Sequence, residues 1–174
     1  MMRTADVTVR AADPHDAASI ARVRVESWRW AYRGILPDAL LDAMSVDDTE
    51  RTWRRSILTD ESIRVFVAET ADAAVGFVSA SPSRDDDARE GTGEIAAIYV
   101  VPERAGAGVG RAIMAVAEDA LRADGFVRAT LWVLRDNAPA RGFYEHRGWT
   151  WDGTTGTHQV ECDHLPVVRY AADL

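Results

Sequence analysis

Hydrophobic and polar residues change their spacing about a third of the way along the chain. A short alternating segment at residues 7–10 predicts a first strand, and apolar side chains then recur with helical spacing up to about residue 58. Asp13 and Pro14 form a typical helix start, because aspartate caps the first turn and proline tolerates it. The pattern therefore predicts a long helix ending near Gly34, a short helix after Pro37 and a third helix over residues 47–58.

From residue 64 onward, strand alternation replaces the helical spacing. The nearly all-apolar residues 95–101 predict a central strand covered on both faces, and the acidic residues 81–93 before it predict a solvated loop. The other expected elements are a hairpin over residues 64–69 and 75–80, a helix over 109–124, a strand over 129–134, a helix from Asn137, and closing strands over 149–154 and 167–170.

Residues 94–134 read as strand, helix and strand, which predicts a parallel βαβ unit. Combined with the hairpins, this unit indicates an α/β fold with a central mixed sheet and helices on both faces. The chain has 174 residues and shows no linker or internal repeat, so we expect a single domain over residues 1–174.

A glycine-dense turn joins the central strand to the long helix of this unit. Gly106, Gly108 and Gly110 stand at alternate positions there and remove side chains where backbone N–H groups point outward. Bare amides at a helix N-terminus bind phosphate oxygens. The turn therefore predicts a phosphate-bearing cofactor held by the main chain.

Two common phosphate loops do not fit this turn. A dinucleotide-binding loop would need a third glycine at the position of Arg111, and a Walker A loop would need lysine after a glycine. The segment Ala105-Gly106-Ala107-Gly108-Val109-Gly110 instead resembles the pyrophosphate loop of the GNAT superfamily of N-acetyltransferases. A second segment resembles the last cofactor-side helix of that superfamily through Asn137, Ala140, Phe143-Tyr144 and Gly148.

The resemblance covers residues 64–151 well and the first sixty residues more loosely. The family usually has glutamine or arginine where this chain has Ala105, so Arg104 or Arg111 is expected to supply the missing charge. The resemblance implies acetyl-CoA as co-substrate. The pyrophosphate would be held by the loop residues Arg104, Ala105, Gly106, Ala107, Gly108, Val109, Gly110 and Arg111.

The same resemblance assigns roles around the reacting thioester. The backbone of Ile98, Tyr99 and Val100 would bond the pantetheine arm where the central strand parts from its neighbour, and Asn137 would bond it from the other side. Tyr144 would protonate the leaving thiolate, because a phenol with a pKa of about 10 suits that transfer. The alternatives are that Asn137 is only a helix cap, that Tyr144 is only a half-buried aromatic residue, and that the strand is fully paired.

Glu94 is the candidate general base that would deprotonate the amine, directly or through water. By strand alternation it is expected on the same side as Ala96, Ile98 and Val100, and an exposed strand-end charge is the alternative. Glu90 is a weaker rival. Trp28 and Tyr32, near the end of the first long helix, would line the acceptor pocket, although aromatic residues at such spacing also suit a core.

Composition limits the partners. The net charge is −8, from 28 acidic and 20 basic residues without a basic run, so we expect no nucleic-acid ligand and a surface suited to cationic amines. Cys162 is the only cysteine, which excludes an intramolecular disulfide and favours the cytoplasm. No signal-like or membrane-spanning run occurs, and His158 and His164 beside Cys162 do not make a metal site.

The sequence therefore predicts a cytoplasmic, metal-free N-acetyltransferase of the GNAT type. It would move the acetyl group of acetyl-CoA to a primary amine, small molecule or peptide, by direct attack in a ternary complex. A non-catalytic acyl-CoA sensor is the alternative, since it would need the loop and Asn137 but not Tyr144 or a base. Many members of the superfamily form homodimers, and the sequence leaves both the oligomeric state and the acceptor open.

Overall fold

Seven strands and five α-helices make up residues 7–160 and 163–174, the part of the chain that the computed structural model describes. Cys162 lies outside these residues. The strands are β1 (Thr8–Ala11), β2 (Arg64–Glu69), β3 (Ala74–Pro82), β4 (Thr92–Val100), β5 (Arg128–Leu134), β6 (Thr150–Val160) and β7 (Asp163–Asp173). The helices are α1 (Ala17–Ala31), α2 (Asp38–Ala43), α3 (Val46–Thr59), α4 (Val109–Ala123) and α5 (Ala138–His146). Short 3-10 turns occupy Pro14–Asp16 and Pro102–Arg104.

All seven strands join one mixed sheet in the spatial order β1-β2-β3-β4-β5-β7-β6. Only β4 and β5 run parallel, and α4 connects them, so the predicted βαβ unit is confirmed. The other neighbours pair antiparallel. The closing strands β6 and β7 are longer than the sequence pattern indicated. Within the described ranges, no helix has the length and apolar character needed to span a bilayer.

Helices cover both faces of the sheet, as the sequence predicts. On one face, Phe77 of β3 packs edge-on against Trp53 of α3, with ring centroids 5.1 Å apart. The adjacent residue Gly76 faces the other way and lies against the side chain of Val109 in α4. The helix start at Asp13 is also confirmed, since its carboxylate accepts a hydrogen bond from the amide of His15.

A β-bulge at Ala96 interrupts the alternation of β4. Ala97 pairs with Ser79 of β3, yet Ile95 pairs with the next residue, Ala80, so Ala96 is an extra residue without a partner opposite. Cross-strand partners point to the same face of a sheet, and Ser79 and Ala80 point to opposite faces. Ile95 and Ala97 therefore face opposite ways, although they are two residues apart.

The bulge overturns the expected orientation of Glu94. Glu94 pairs with Ser81, which lies on the same face as Phe77, so Glu94 shares its face with Tyr99. The expectation that it would lie on the side of Ile98 and Val100 is wrong, because one extra residue reverses the alternation beyond it. The carboxylate is thereby directed to the face that α1 and α3 cover.

Strand β4 separates from β5 soon after it begins. Their pairing covers only Thr92–Glu94 against Arg128–Thr130, and β4 continues without β5 beside it. Ala96 is exposed and residues 98–100 are only partly buried. The expectation of a strand covered on both faces along its whole length is therefore wrong for the second half of β4, because the two strands diverge there.

The acidic segment at residues 81–93 is solvated over residues 86–90, as its composition predicts, but it is also held to the sheet at Asp85. Asp85 is largely buried and accepts hydrogen bonds from Trp132 Nε1 at 2.9 Å and Arg169 Nη1 at 3.1 Å. Arg169 of β7 also donates to Asp87 at 2.8 Å. Ion pairing with the buried Arg169 thus holds this segment to the sheet. The run of acidic residues alone does not indicate this contact, because the partner lies far away in the sequence.

The close contact between β4 and α4 leads to a stability prediction. A Cβ atom on Gly93 would lie 2.7 Å from Cδ2 of the fully buried Leu121, so Gly93→Ala should lower the free energy of unfolding by about 1–3 kcal/mol. Gly142 in α5 has open space around it, and Gly142→Ala should leave stability unchanged or raise it by up to about 1 kcal/mol. Urea denaturation compares the two variants, and equal effects would contradict the close packing at Gly93.

Candidate active site

A cleft of about 1200 Å³ opens where β4 and β5 part. The end of α1, the N-terminus of α4 and one side of α5 also line it. The cleft brings together most of the site residues expected from the sequence, namely Trp28, Tyr32, Glu94, Ile98, Tyr99, Val100, Arg104, Ala105, Gly106, Gly108, Gly110, Arg111, Asn137 and Tyr144. Ala107 and Val109 do not line it, and the Val109 side chain is buried in the core.

The glycine turn presents unused backbone donors to one end of the cleft. Gly106 and Gly108 have φ angles of 74° and 86°, a left-handed conformation that residues with a side chain rarely adopt. Among the described residues, no acceptor bonds the amide N–H of Gly106, Gly108 or Gly110. The start of α4 therefore has the free N–H groups that an anion requires.

Two other amides of the turn are already engaged. The N–H of Ala105 donates to the Pro102 carbonyl at 3.1 Å, and the N–H of Ala107 donates to the Arg104 carbonyl at 3.1 Å. These bonds shape the turn and leave the phosphate role to the glycines and the first residues of α4. Ala105 and Ala107 are thus structural parts of the loop rather than its free donors.

Positive charge accompanies the free amides. Arg104 and Arg111 line the cleft beside the glycine turn, and neither forms an ion pair with a carboxylate of the described residues. Because most arginines of this acidic chain are paired with carboxylates, two unpaired ones at a helix N-terminus make this end of the cleft electropositive.

Asn137 lies on the opposite wall of the cleft and is buried. Its side-chain oxygen caps α5 by accepting a hydrogen bond from the amide of Ala140 at 3.2 Å. The cap fixes the side chain and leaves its NH₂ group to donate into the cleft. Asn137 can therefore serve as cap and ligand together.

The second half of β4 forms the floor of the cleft. Residues 98–100 bond to β3 on one edge, and their other edge is free of β5. Ser27 of α1 donates to the Val100 carbonyl at 2.9 Å and holds the end of the strand in place. An extended ligand can therefore lie along this edge in the position of an added strand.

Tyr144 is buried beside this floor. Burial, and after it the nearby Tyr99, raise the pKa of Tyr144 above its ordinary value. Burial also raises the pKa of Tyr32, with Tyr99 and Tyr144 adding to the shift. The three phenols are thus close enough to influence one another, and Tyr144 stays protonated at neutral pH as a proton donor must.

Glu94 is buried at the other side of the opening, with 7% of its surface exposed. Arg84 lies against it, with Nε 3.3 Å from one carboxylate oxygen. Arg84 itself is largely exposed and belongs to the acidic segment between β3 and β4. Sequence reasoning missed Arg84, because its position depends on how that segment is fastened down and not on any local pattern.

Aromatic side chains line the end of the cleft at α1, where the acceptor pocket was expected. The ring of Trp28 meets Tyr32 edge-on at 4.9 Å and lies 6.4 Å from Tyr99. His158 of β6 lines the same end, although the sequence indicated no part for it in the site. In the described ranges, no three histidine, cysteine, aspartate or glutamate residues are grouped closely enough to hold a metal ion.

Proteins that resemble this chain in sequence are named as N-acetyltransferases. The sequence model of the acetyltransferase (GNAT) family matches residues 23–149. The uncharacterized N-acetyltransferase YuaI of Bacillus subtilis (strain 168) is 38% identical over 141 residues, which cover 80% of this chain and 78% of that protein.

Solved structures share the fold at lower identity. A GCN5-related N-acetyltransferase from Rhodopseudomonas palustris matches with a TM-score of 0.79 and 22% identity over 100% of this chain and 99% of that one. The PaiA N-acetyltransferase from Thermoplasma acidophilum, in complex with coenzyme A, matches with a TM-score of 0.70 and 18% identity over 97% and 99%. The chain therefore belongs to the acetyltransferase (GNAT) family and is an acetyl-CoA-dependent acyltransferase.

Proposed function

We propose that this enzyme transfers the acetyl group of acetyl-CoA to a primary amine by direct attack in a ternary complex. The observation that carries the proposal is the gap between β4 and β5, which leads from the free amides of the glycine turn to Tyr144 and Glu94. Family membership gives the non-catalytic acyl-CoA sensor no support.

Acetyl-CoA would lie along the gap with its diphosphate at the glycine turn. Free amides of Gly106, Gly108 and Gly110 would bind the phosphate oxygens, and Arg104 and Arg111 would add charge. The open edge of β4 and the NH₂ group of Asn137 would bond the pantetheine amides. The related Thermoplasma acidophilum structure is a complex with coenzyme A, which supports this use of the fold.

The reaction would need two proton transfers. The amine nitrogen forms a bond to the thioester carbon, and the carbon–sulfur bond breaks with its electron pair going to sulfur. Tyr144 gives its proton to the departing thiolate, and the Glu94 carboxylate, or a water it holds, takes a proton from the amine. Holding both reactants in one cleft makes a bimolecular step effectively unimolecular.

The primary-amine acceptor would enter from the end of the cleft that Trp28 and Tyr32 line. Its amine would reach the thioester beside Glu94. We further propose that the enzyme works as a single domain in the cytoplasm, where acetyl-CoA is available.

Gly110→Glu should block binding of the diphosphate and leave the fold unchanged. A Cβ atom on Gly110 has only ordinary contacts, the nearest 3.6 Å from Phe143, and an acidic residue in the first turn of a helix is favourable. Gly110→Glu should therefore weaken acetyl-CoA binding by at least about tenfold, or about 1.4 kcal/mol, with an unchanged melting temperature. Calorimetry measures the affinity and Gly142→Ala is the control. Unchanged affinity would mean that the diphosphate binds elsewhere.

Loss of the Tyr144 hydroxyl should slow turnover and spare cofactor affinity. Tyr144→Phe is expected to lower kcat by about 100-fold, because the thiolate loses its proton donor. Tyr170, a phenol outside the cleft that bonds Glu145 and Arg141, provides the control, and Tyr170→Phe should change kcat by less than about threefold. Thiol release gives kcat, and a Tyr144→Phe variant with weak binding and normal kcat would refute the acid role.

A general base at Glu94 predicts a defect that depends on pH. An amine with a pKa of about 10.4 is almost fully protonated at pH 7 and substantially neutral at pH 10. Glu94→Gln should therefore lower kcat/KM by about 100-fold at pH 7 and by much less at pH 10. The control is Glu90→Gln, at an exposed residue, which should match the wild type at both values. An equal loss at both pH values would assign Glu94 to positioning Arg84 instead.

A further inference from the structure

A second cavity of about 380 Å³ adjoins the acceptor end of the cleft. It lies between α1, α3 and the face of β3 and β4 that also carries Glu94. Both cavities are lined by Trp28, Tyr99, Arg84 and His158, so they are neighbours at this point. A molecule that passes between these side chains would reach from the cleft into the second cavity.

Buried N–H donors without partners are concentrated around this second cavity. Trp28 Nε1, Trp53 Nε1 and Arg24 Nε are all buried, and none has a hydrogen-bond partner among the described residues. All three residues line the cavity. The three nitrogens themselves have almost no accessible surface, so an acceptor would reach them after these side chains shift. A buried donor left unsatisfied costs about 1–3 kcal/mol, so three in one place indicate that something else accepts their hydrogen bonds.

Charged side chains of both signs lie around these donors. Arg24 lies over the Trp28 ring at 5.2 Å and makes no ion pair with any carboxylate of the described residues. Burial, and then the Arg24 cation, lower the pKa of His158, so its imidazole is neutral at neutral pH. Asp60 brings a carboxylate to the lining, but one of its oxygens is engaged by the amide and hydroxyl of Ser62.

An indole N–H and a guanidinium N–H can only donate. The missing partner must therefore supply acceptor oxygens, and the Arg24 charge favours one that is negative. A carboxylate fits these requirements, because its two oxygens together accept up to four hydrogen bonds. Ser79, on the same face and within the lining, contributes a hydroxyl.

We propose that the second cavity binds the carboxylate of the acceptor, so that the enzyme acetylates amino acids or close analogues rather than simple amines or polyamines. This inference rests on the proposed N-acetyltransfer. The amine of the acceptor lies in the cleft beside Glu94, and its carboxylate lies between Arg24, Trp28 and Trp53. The Arg24 cation would thus favour an acceptor with a negative group, whereas the net negative charge of the chain had favoured cationic amines.

Matched acceptors test the inference directly. Tyrosine, tryptophan and lysine are compared with their carboxamides and with tyramine, tryptamine and cadaverine in a thiol-release assay with acetyl-CoA. For one or more of the amino acids, we expect kcat/KM to be at least about tenfold higher than for the matching carboxamide and the matching decarboxylated amine. A difference of this size is what one hydrogen bond to a charged group provides. The amine of a carboxamide is less basic than that of the free acid, so a larger fraction of it is neutral and able to attack at pH 7. A preference for the free acid would therefore not be an effect of amine pKa.

A variant pair assigns the preference to the cavity. Trp53→Phe keeps a ring against Phe77 and removes one N–H, so it should raise KM for the preferred amino acid about fivefold, leave kcat unchanged and leave the decarboxylated amine unaffected. Trp151→Phe removes an exposed indole N–H that bonds the Thr154 carbonyl outside both cavities, and should change nothing. Equal effects of Trp53→Phe on acid and amine would overturn the inference.

Binding separates failure of this inference from failure of the proposed function. The melting temperature of wild-type protein with CoA is measured with an N-acetyl amino acid and with the matching N-acetyl amine. A rise with the acid only, reduced in Trp53→Phe, supports the carboxylate site. No rise, or an equal rise with both, means that water satisfies the donors and overturns it. Acetyl-CoA binding with turnover of simple amines would then leave the proposed function standing, and failure to bind acetyl-CoA would refute that function.

Discussion

The separation of two parallel strands is the feature on which the rest of this molecule depends. β4 and β5 pair for only three residues, up to Glu94 and Thr130, and a bulge at Ala96 follows at once. Breaking a sheet exposes backbone groups that must find other partners. Here the unpaired edge becomes the floor of the cleft, and the helix that connects the two strands begins at one end of the opening with its own unpaired amides.

The bulge also decides which side chains meet. One extra residue puts Glu94 on the face of Tyr99, Ser79 and Ser81, where α1 and α3 pack. Without the bulge, Glu94 would point towards α4 and away from the face that carries Tyr99. The second cavity lies on this same face, so the candidate base and the cluster of unsatisfied donors are on one side of the sheet.

Much of this could be read from the sequence. The elements, their order and the βαβ unit follow from apolar spacing, and the turn with free amides follows from Gly106, Gly108 and Gly110. These are local signals. The bulge could not be predicted, because alanine is an ordinary strand residue. Ala96 is recognised as an extra residue only when the pairing of β4 with β3 is known. Composition likewise could not show that an ion pair between Asp85 and Arg169, 84 residues away, holds the charged segment against the sheet.

The arginine in β7 has a further consequence for the C-terminal hairpin. Arg169 binds Asp85 and Asp87, and the segment they belong to carries Arg84, the residue that lies against Glu94. The hairpin also contributes His158 to the end of the cleft that Trp28 and Tyr32 line. Truncating the chain before β7 would remove a strand from between β5 and β6. It would also release the segment that holds Arg84 beside the candidate base, so the last dozen residues support the candidate site as well as the sheet.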